Sequence, residues 1–100
     1  MAQRSIVLAI SPDNAEALLE GRRRFDHRAI RPKGLPARAY LAVSGTASIV
    51  GECTLGEPVR RTDKGWAIPV SGPRRYRTPR PLSEFGLAKV PRSFRYVGEG

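Results

Sequence analysis

GRRRFDHR, residues 21–28, is the segment around which the rest of the chain is organised. It holds one carboxylate among four arginines, and it follows a short predicted helix at the start of a strand. Because alternate residues of a strand point to the same face, Asp26 is predicted to share a polar face with Arg24 and Arg28. Phe25, on the other face, is expected to anchor the strand in the core, while the polar face looks into a groove or onto solvent. A charged edge strand that avoids aggregation explains the same pattern from composition alone.

The chain has the size and composition of one small globular domain. Its 100 residues leave no room for a second core, and 40% of them are hydrophobic. No apolar run approaches the roughly 18 residues that span a bilayer, and the N-terminal run from Ile6 to Ile10 is too short for a signal peptide. The single cysteine, Cys53, excludes an internal disulfide and fits a reducing compartment. We therefore expect one cytoplasmic domain over residues 1–100, with no membrane association, as a monomer or weak dimer.

Positive charge is the strongest compositional signal. Lysine and arginine number 18 against 9 acidic residues, which gives a formal net charge of +9. Most of these cations are arginines, whose planar fork suits phosphates and base edges. A charge of this size costs self-repulsion, which a polyanionic partner relieves. Nucleic acid is the leading candidate partner, and an anionic membrane surface is the second.

Hydrophobic patterning predicts an opening strand and helix followed by a hairpin. The apolar run within residues 3–10 is typical of a strand buried on both faces. Ser11 and Pro12 fit the N-cap and first position of a helix, which Gly21 ends in a left-handed conformation. An antiparallel hairpin is predicted for residues 39–43 and 48–55, joined by a turn of small residues. Within it, the glycine at position 51 indicates a bulge or a close backbone approach.

The second half of the chain is predicted to be less regular. Residues 66–70 form a short strand in which Pro69 favours an edge or bulge position. Residues 71–81 are rich in glycine and proline and are expected to be irregular. Residues 82–87 predict one helical turn with Ser83 as a candidate cap.

The spacing within residues 21–28 resembles the signature of the ASCH family, a branch of the PUA-like superfold. Written as G-x-[K/R]-x-x-[E/D]-x-R, the pattern is occupied by Gly21, Arg23, Asp26 and Arg28. Arg23 stands where lysine is usual, and Asp26 stands where glutamate is usual. The resemblance extends along nearly the whole chain. Further stretches similar to family patterns are residues 6–19, residues 40–52, and the closing residues 73–82 with 91–96.

This resemblance implies both a fold and a function. The implied fold is α+β, a small, mostly antiparallel β-barrel with one or two short helices, as in short single-domain bacterial members of the family. The implied function is nucleic-acid binding in a cleft beside residues 21–28, with RNA favoured over DNA and single strands favoured. In that cleft Arg23 and Arg28 would bind phosphate or a base edge, and Asp26 would orient them or accept from a base amino group. The alternative is a structural Arg–Asp network at the mouth of the barrel.

Other cations and one aromatic ring extend the predicted nucleic-acid site. The candidate phosphate contacts are Arg22, Arg24, Arg31, Lys33, Arg38, Arg74, Arg75 and Arg77. A solvated basic surface explains the same residues. Tyr76 is the best candidate for base stacking because arginines flank it, whereas Trp66 and Phe94 are expected in the core. Amides of the turn at Ser44 could cradle an anion, although a plain hairpin turn is the simpler interpretation.

A hydrolase is the alternative function, because a few members of the resembling family are hydrolases. A metal-independent ribonuclease could use Asp26 or His27 as base, with Arg23 or Arg28 stabilising the phosphorane charge. An amidase is less favoured, since arginine at position 23 stays protonated where a lysine could lose its proton. Otherwise His27 is expected to be a packed or surface residue.

One histidine, one cysteine and scattered carboxylates predict no metal site, and no cofactor-binding motif is visible. A structural or partner-binding domain whose charge only aids solubility is the third hypothesis. Among the three, a binding module is favoured over an enzyme.

Overall fold

The computed structural model describes residues 5–98, which form seven strands, one α-helix and one 3₁₀ turn. The elements are β1 (Ser5–Ile10), α1 (Pro12–Leu19), β2 (Phe25–Arg28), β3 (Ala37–Val43), β4 (Ser48–Leu55), β5 (Arg60–Thr62), β6 (Gly65–Pro81), the 3₁₀ turn (Leu82–Phe85) and β7 (Phe94–Val97). Positions 3 and 4, predicted within the first strand, lie outside the described residues.

The opening strand and helix form where the sequence predicts them. Almost all of β1 is buried, as its apolar run requires. The Ser11 hydroxyl caps α1 by accepting a hydrogen bond from the Asn14 amide at 3.3 Å. The chain leaves the helix through Gly21 at φ +77°, a conformation that favours glycine.

The strands form one curled mixed sheet, a half-barrel whose order is β2-β6-β4-β3-β1-β7, with β5 paired to β6. The neighbours β1 and β3 are parallel, while the other pairs are antiparallel. Two short edge strands, β2 and β7, therefore end the sheet. The prediction of an α+β fold with a mostly antiparallel barrel is confirmed.

The predicted hairpin of β3 and β4 is also confirmed, and Gly51 is the reason that β4 can bend against β6. The register between β4 and β6 shifts on either side of this residue. A Cβ at position 51 would lie 2.5 Å from the Arg74 carbonyl oxygen and 2.9 Å from a methyl group of Leu19. Only a residue without a side chain allows β6 and α1 to approach so closely.

The prediction of an irregular segment at residues 71–81 is wrong, because this segment continues β6 for its full length. Pro73 and Pro79 are tolerated because they lie in register shifts of the pairing with β4, where a missing N–H costs no ladder bond, and Pro81 is the last residue of the strand. Pro69 marks the point at which pairing with β2 ends and pairing with β4 begins. The prediction that Ser83 caps this helical turn is also wrong, because the N-cap of the 3₁₀ turn is Pro81.

Two apolar clusters pack on opposite faces of the sheet. The inner cluster lies inside the half-barrel under α1 and includes Leu8, Leu41, Leu55 and Ile68. The outer cluster includes Val7, Ala42, Ile49, Leu82 and Leu87 and holds the 3₁₀ turn against the sheet. Within residues 5–98, no helix has the length and apolarity needed to cross a membrane.

Candidate functional site

The signature segment, residues 21–28, lies where β1 ends and α1 begins, and Arg28 is the centre of its contacts. Arg28 Nε donates to Asp26 Oδ2 at 2.6 Å. Nη1 donates to the carbonyl oxygen of Ser93 at 2.9 Å and to its hydroxyl at 3.3 Å. Nη2 donates to the Ala9 carbonyl oxygen at 2.8 Å. Four acceptors thus occupy a guanidinium that has five N–H donors.

Asp26 and Arg28 form a buried ion pair, since their side chains are only 8% and 10% exposed. Asp26 is paired in register with Ile68, a residue of the inner cluster, so the polar face of β2 points into the half-barrel. The expectation that Phe25 is the core anchor is therefore wrong, and of the two surroundings expected for the polar face, a groove or solvent, solvent is excluded for Asp26 and Arg28. Phe25 is only half-buried, and the Arg60 guanidinium lies 6.0 Å from the centre of its ring.

Arg28 also joins the two edges of the sheet. It belongs to β2, whereas its carbonyl acceptors belong to β1 and to the residue before β7. A second link crosses the same line, where the Tyr96 hydroxyl donates to the Lys33 carbonyl at 2.8 Å and accepts from the Lys33 amide at 2.6 Å. We call this line between β2 and β7 the seam. Side chains bridge the half-barrel there.

Arg23 lies beside the same network, but not all of its N–H groups are engaged in hydrogen bonds. Its Nε donates to the Phe25 carbonyl oxygen at 2.9 Å, and Nη1 donates to Asn14 Oδ1 at 2.7 Å. Nη2 lies 3.4 Å from His27 Nδ1. A guanidinium can only donate, so His27 Nδ1 is the acceptor if this contact is a hydrogen bond. Three of the five donors are engaged, and the remaining two are available to a ligand at this half-buried position.

The arginines on either side of α1 are brought together by the fold. The Arg24 carbonyl accepts from the Val70 amide at 2.8 Å, which places Arg24 beside β6. Further along β6, Arg75 holds Glu16 of α1 through two bonds of 2.7 Å, and these bonds lower the pKa of Glu16. Arg74 and Arg77 are exposed positions of the same strand. The segment at residues 22–24 and Arg75 of β6, far apart in sequence, therefore both lie close to α1.

The remaining predicted phosphate contacts lie elsewhere. Arg31 packs 5.4 Å from the centre of the Trp66 ring, in the loop after β2. Lys33 is exposed, and its backbone is held by Tyr96 at the seam. Arg38 projects from β3 beside Glu52 at 3.6 Å. The predicted track of cations is thus divided between the α1 side and the β2–β3 loop.

Carboxylates neutralise some of these arginines and leave others free. The paired ones are Arg22 with Glu20, Arg31 with Glu57, Arg38 with Glu52, Arg75 with Glu16 and Arg80 with Glu84. Within residues 5–98, the exposed side chains of Arg24, Arg74 and Arg77 have no carboxylate partner. Among the arginines predicted to contact phosphate, these three are exposed and can meet a phosphate without first displacing a carboxylate.

The predicted stacking and anion sites have other partners. The Tyr76 hydroxyl donates to Glu52 Oε1 at 2.8 Å, and burial together with this contact raises the pKa of Tyr76. Trp66 and Phe94 pack against the inner cluster as half-buried residues. At the turn, the Ser44 amide donates to the Ile10 carbonyl and the Thr46 amide donates to the Val43 carbonyl, so these two amides are not free to cradle an anion. Binding by Tyr76 and Ser44 stays a prediction.

The sequence did not predict that Asn14 and Ser93 belong to the site. Asn14 accepts a hydrogen bond from Arg23, and Ser93 accepts one from Arg28. Neither belongs to the four-residue pattern, and only the packing of α1 and of residue 93 against β2 brings them there. Cys53 is buried beside the network, and burial, followed by the charges of Asp26 and Glu52, raises its pKa to about 12. No group of three or more His, Cys, Asp or Glu side chains in the described part of the chain is arranged to hold a metal ion.

The half-barrel and its covering helix give the chain the fold of an ASCH domain, as the sequence resemblance predicted. ASCH from Zymomonas mobilis matches 93% of this chain and 87% of its own at a TM-score of 0.76 and 18% identity. A tyrosine-to-phenylalanine mutant of that protein matches at a TM-score of 0.74 and 18% identity, and the match covers 93% of this chain and 89% of the mutant. A serine-to-alanine mutant matches at a TM-score of 0.73 and 14% identity, and the match covers 93% of this chain and 87% of the mutant. No family model and no curated protein matches the sequence.

Proposed function

We propose that this protein is a nucleic-acid-binding module that prefers single-stranded RNA. The observation that carries the proposal is the presence of exposed arginines without a carboxylate partner next to β2 and on β6, the strand paired with it, in an ASCH fold. Arg24 precedes β2, while Arg74 and Arg77 are exposed positions of β6 near Arg75, which binds Glu16 of α1. Phosphate contacts of this kind supply most of the sequence-independent affinity for a polyanion.

Within the signature segment, two residues have a structural role and one has a ligand-binding role. Asp26 and Arg28 hold β2 against β1 and fix the position of the network, because their charges face each other and backbone carbonyls. Arg23 supplies the two free N–H donors closest to the strand, in a fork suited to a phosphate or a base edge. Arg23 and the surrounding arginines thus bind the ligand, while Asp26 and Arg28 fix the position of β2.

The test is a salt series with labelled single-stranded RNA, duplex RNA and single-stranded DNA, read by fluorescence anisotropy. A triple variant, Arg24→Gln/Arg74→Gln/Arg77→Gln, removes three charges beside α1. The control, Arg60→Gln/Arg61→Gln/Lys64→Gln, removes three charges on and after β5. For single strands, each lost phosphate contact lowers the slope of log K against log salt by about 0.7, so the first variant should lose about 2.

Tightest binding to single-stranded RNA, with the larger slope change in the α1-side variant, supports the proposal. Equal slope changes in the two triple variants would mean that the charged surface has no preferred side. Absence of binding by the unmodified protein at about 50 mM salt would refute a nucleic-acid function altogether.

A metal-independent ribonuclease is the second candidate, favoured by the placement of His27 beside Arg23. A neutral imidazole next to a guanidinium combines a proton donor or acceptor with a group that stabilises phosphorane charge. Asp26 is a poor base, since Arg28 occupies one oxygen at 2.6 Å. Cleavage of labelled RNA in the presence of a chelator, abolished in His27→Asn while binding persists, would establish this activity. Binding without cleavage favours the binding module.

A further inference from the structure

Three cations that the predicted site does not include line an open groove before and along β7. This cationic groove, of about 590 Å³, is formed by Lys89, Val90, Pro91, Arg92, Phe94 and Arg95. The three charged side chains are exposed, and none has a carboxylate partner in the described part of the chain. No acid lines the groove, so it presents a positive surface beside a half-buried aromatic ring.

The segment that forms the cationic groove is hydrogen-bonded to the signature segment. Ser93, which lies in sequence between the groove residues Arg92 and Phe94, accepts two hydrogen bonds from Arg28 Nη1 through its carbonyl and hydroxyl oxygens. The same Ser93 carbonyl accepts from the Ala9 amide at 2.8 Å. The segment that carries Arg92 is therefore fixed to β1 and, through Arg28, to β2.

A second groove continues from the first and shares Arg95 with it. This aromatic groove, of about 420 Å³, includes Tyr40, Arg80, Glu84 and Phe85 in its wall. The Arg80 guanidinium lies 4.8 Å from the centre of the Phe85 ring and is paired with Glu84 at 2.8 Å. Donor and acceptor groups thus stand side by side next to aromatic surface, an arrangement that suits the edge of a base.

We propose that these two grooves form a second contact surface for a single-stranded nucleic acid, leading away from the signature segment across the seam. The phosphates lie along Lys89, Arg92 and Arg95, and one nucleotide occupies the aromatic groove beyond Arg95. The proposal deepens the proposed function by giving the bound strand a direction and a second point of contact.

Size argues for a strand rather than for an isolated phosphate. Each groove falls in the range of about 300–1,000 Å³ found for small-molecule sites, which far exceeds the space of one phosphate group. Arg95 lines both grooves, which places them on either side of one side chain. Single-strand binders in general combine such a positive groove with aromatic side chains.

The test compares two double variants with an RNA of about 12 nucleotides and with a dinucleotide. Arg92→Gln/Arg95→Gln removes two charges from the cationic groove. Arg60→Gln/Arg61→Gln removes the same two charges from β5, outside both grooves. For the longer RNA, the groove variant should lose about 1.4 in salt slope and bind about 10- to 30-fold more weakly at 0.1 M salt, while the β5 variant loses less. For the dinucleotide, which is too short to reach from the signature segment to both grooves, the two variants should be alike.

Equal weakening of the longer RNA by the two variants would overturn the second surface and leave the proposed function intact. Competition by inorganic phosphate as effective as that by the longer RNA would also overturn it, because a single-phosphate site would then suffice. A protein that binds no RNA in any form fails the proposed function instead, so the two failures are distinguishable. Circular dichroism checks that both variants stay folded.

Discussion

Replacing Asp26 with alanine should destabilise the protein severely, because its carboxylate is the counter-ion of a buried arginine. The change leaves Arg28 with a buried charge and no counter-ion, since its side chain is only 10% exposed. Removing one member of a buried pair typically costs about 3–5 kcal/mol. That is a large share of the roughly 5–15 kcal/mol that stabilises a domain. At about 4–8 °C per kcal/mol for a chain of this size, Tm should fall by roughly 12 °C or more.

The assay is urea unfolding at neutral pH, followed by the fluorescence of Trp66 and by circular dichroism. Glu20→Ala is the matched control, because it removes the carboxylate of an arginine pair of similar length, 2.8 Å, whose side chains are 63% and 48% exposed. An exposed pair is worth about 0.2–1 kcal/mol. A third protein, Asp26→Leu/Arg28→Met, removes both charges and should recover much of the loss.

The reasoning is refuted if Asp26→Ala and Glu20→Ala lower the free energy of unfolding by the same amount. It is also refuted if the double variant is less stable than Asp26→Ala alone. In that case the contacts of Arg28 with backbone carbonyls, rather than its ion pair, would dominate.

Three further predictions concern residues around the half-barrel. Burial raises the pKa of Cys53 to about 12. The free energy of unfolding should therefore fall as pH rises above about 9, where the thiol of the unfolded chain ionises and the buried thiol does not. Urea midpoints measured against pH should show this fall, and Cys53→Ala should make it smaller. Gly51→Ala should cost about 1–3 kcal/mol because its new methyl group meets backbone at 2.5 Å, whereas Gly98→Ala, with open space around it, should be neutral; equal urea midpoints would contradict this. Tyr76→Phe should cost about 1.5 kcal/mol through the lost bond to Glu52, and an unchanged midpoint would mean that solvent replaces that bond.

Local rules predicted the parts of the fold that depend on local chemistry. The cap at Ser11, the left-handed exit at Gly21 and the close approach at Gly51 follow from the conformations that those residues allow. The length of β6 did not follow, because glycine and proline end a strand unless neighbouring register shifts accommodate them. Those shifts are set by β4, so they are invisible in residues 71–81 alone.

The orientation of the signature segment shows the same limit at the site. Alternation correctly grouped Asp26 with Arg28, but it could not decide which face of β2 points inward. The partners that make burial of this pair favourable are the Ala9 and Ser93 carbonyls, which come from opposite ends of the chain. The structural alternative considered from sequence, an Arg–Asp network at the barrel mouth, describes these two residues well. The binding roles of Arg23 and the surrounding arginines stay predictions.

The seam is the place where the described half-barrel is held by side-chain hydrogen bonds and not by a ladder of backbone hydrogen bonds. Elsewhere around the described half-barrel, neighbouring strands share rows of amide–carbonyl bonds, so the loss of one side chain leaves the two strands together. Along the seam, the guanidinium of Arg28 and the phenol of Tyr96 carry that task. Partial opening of the molecule should therefore start between β2 and β7, and hydrogen exchange should be fastest in these two short strands.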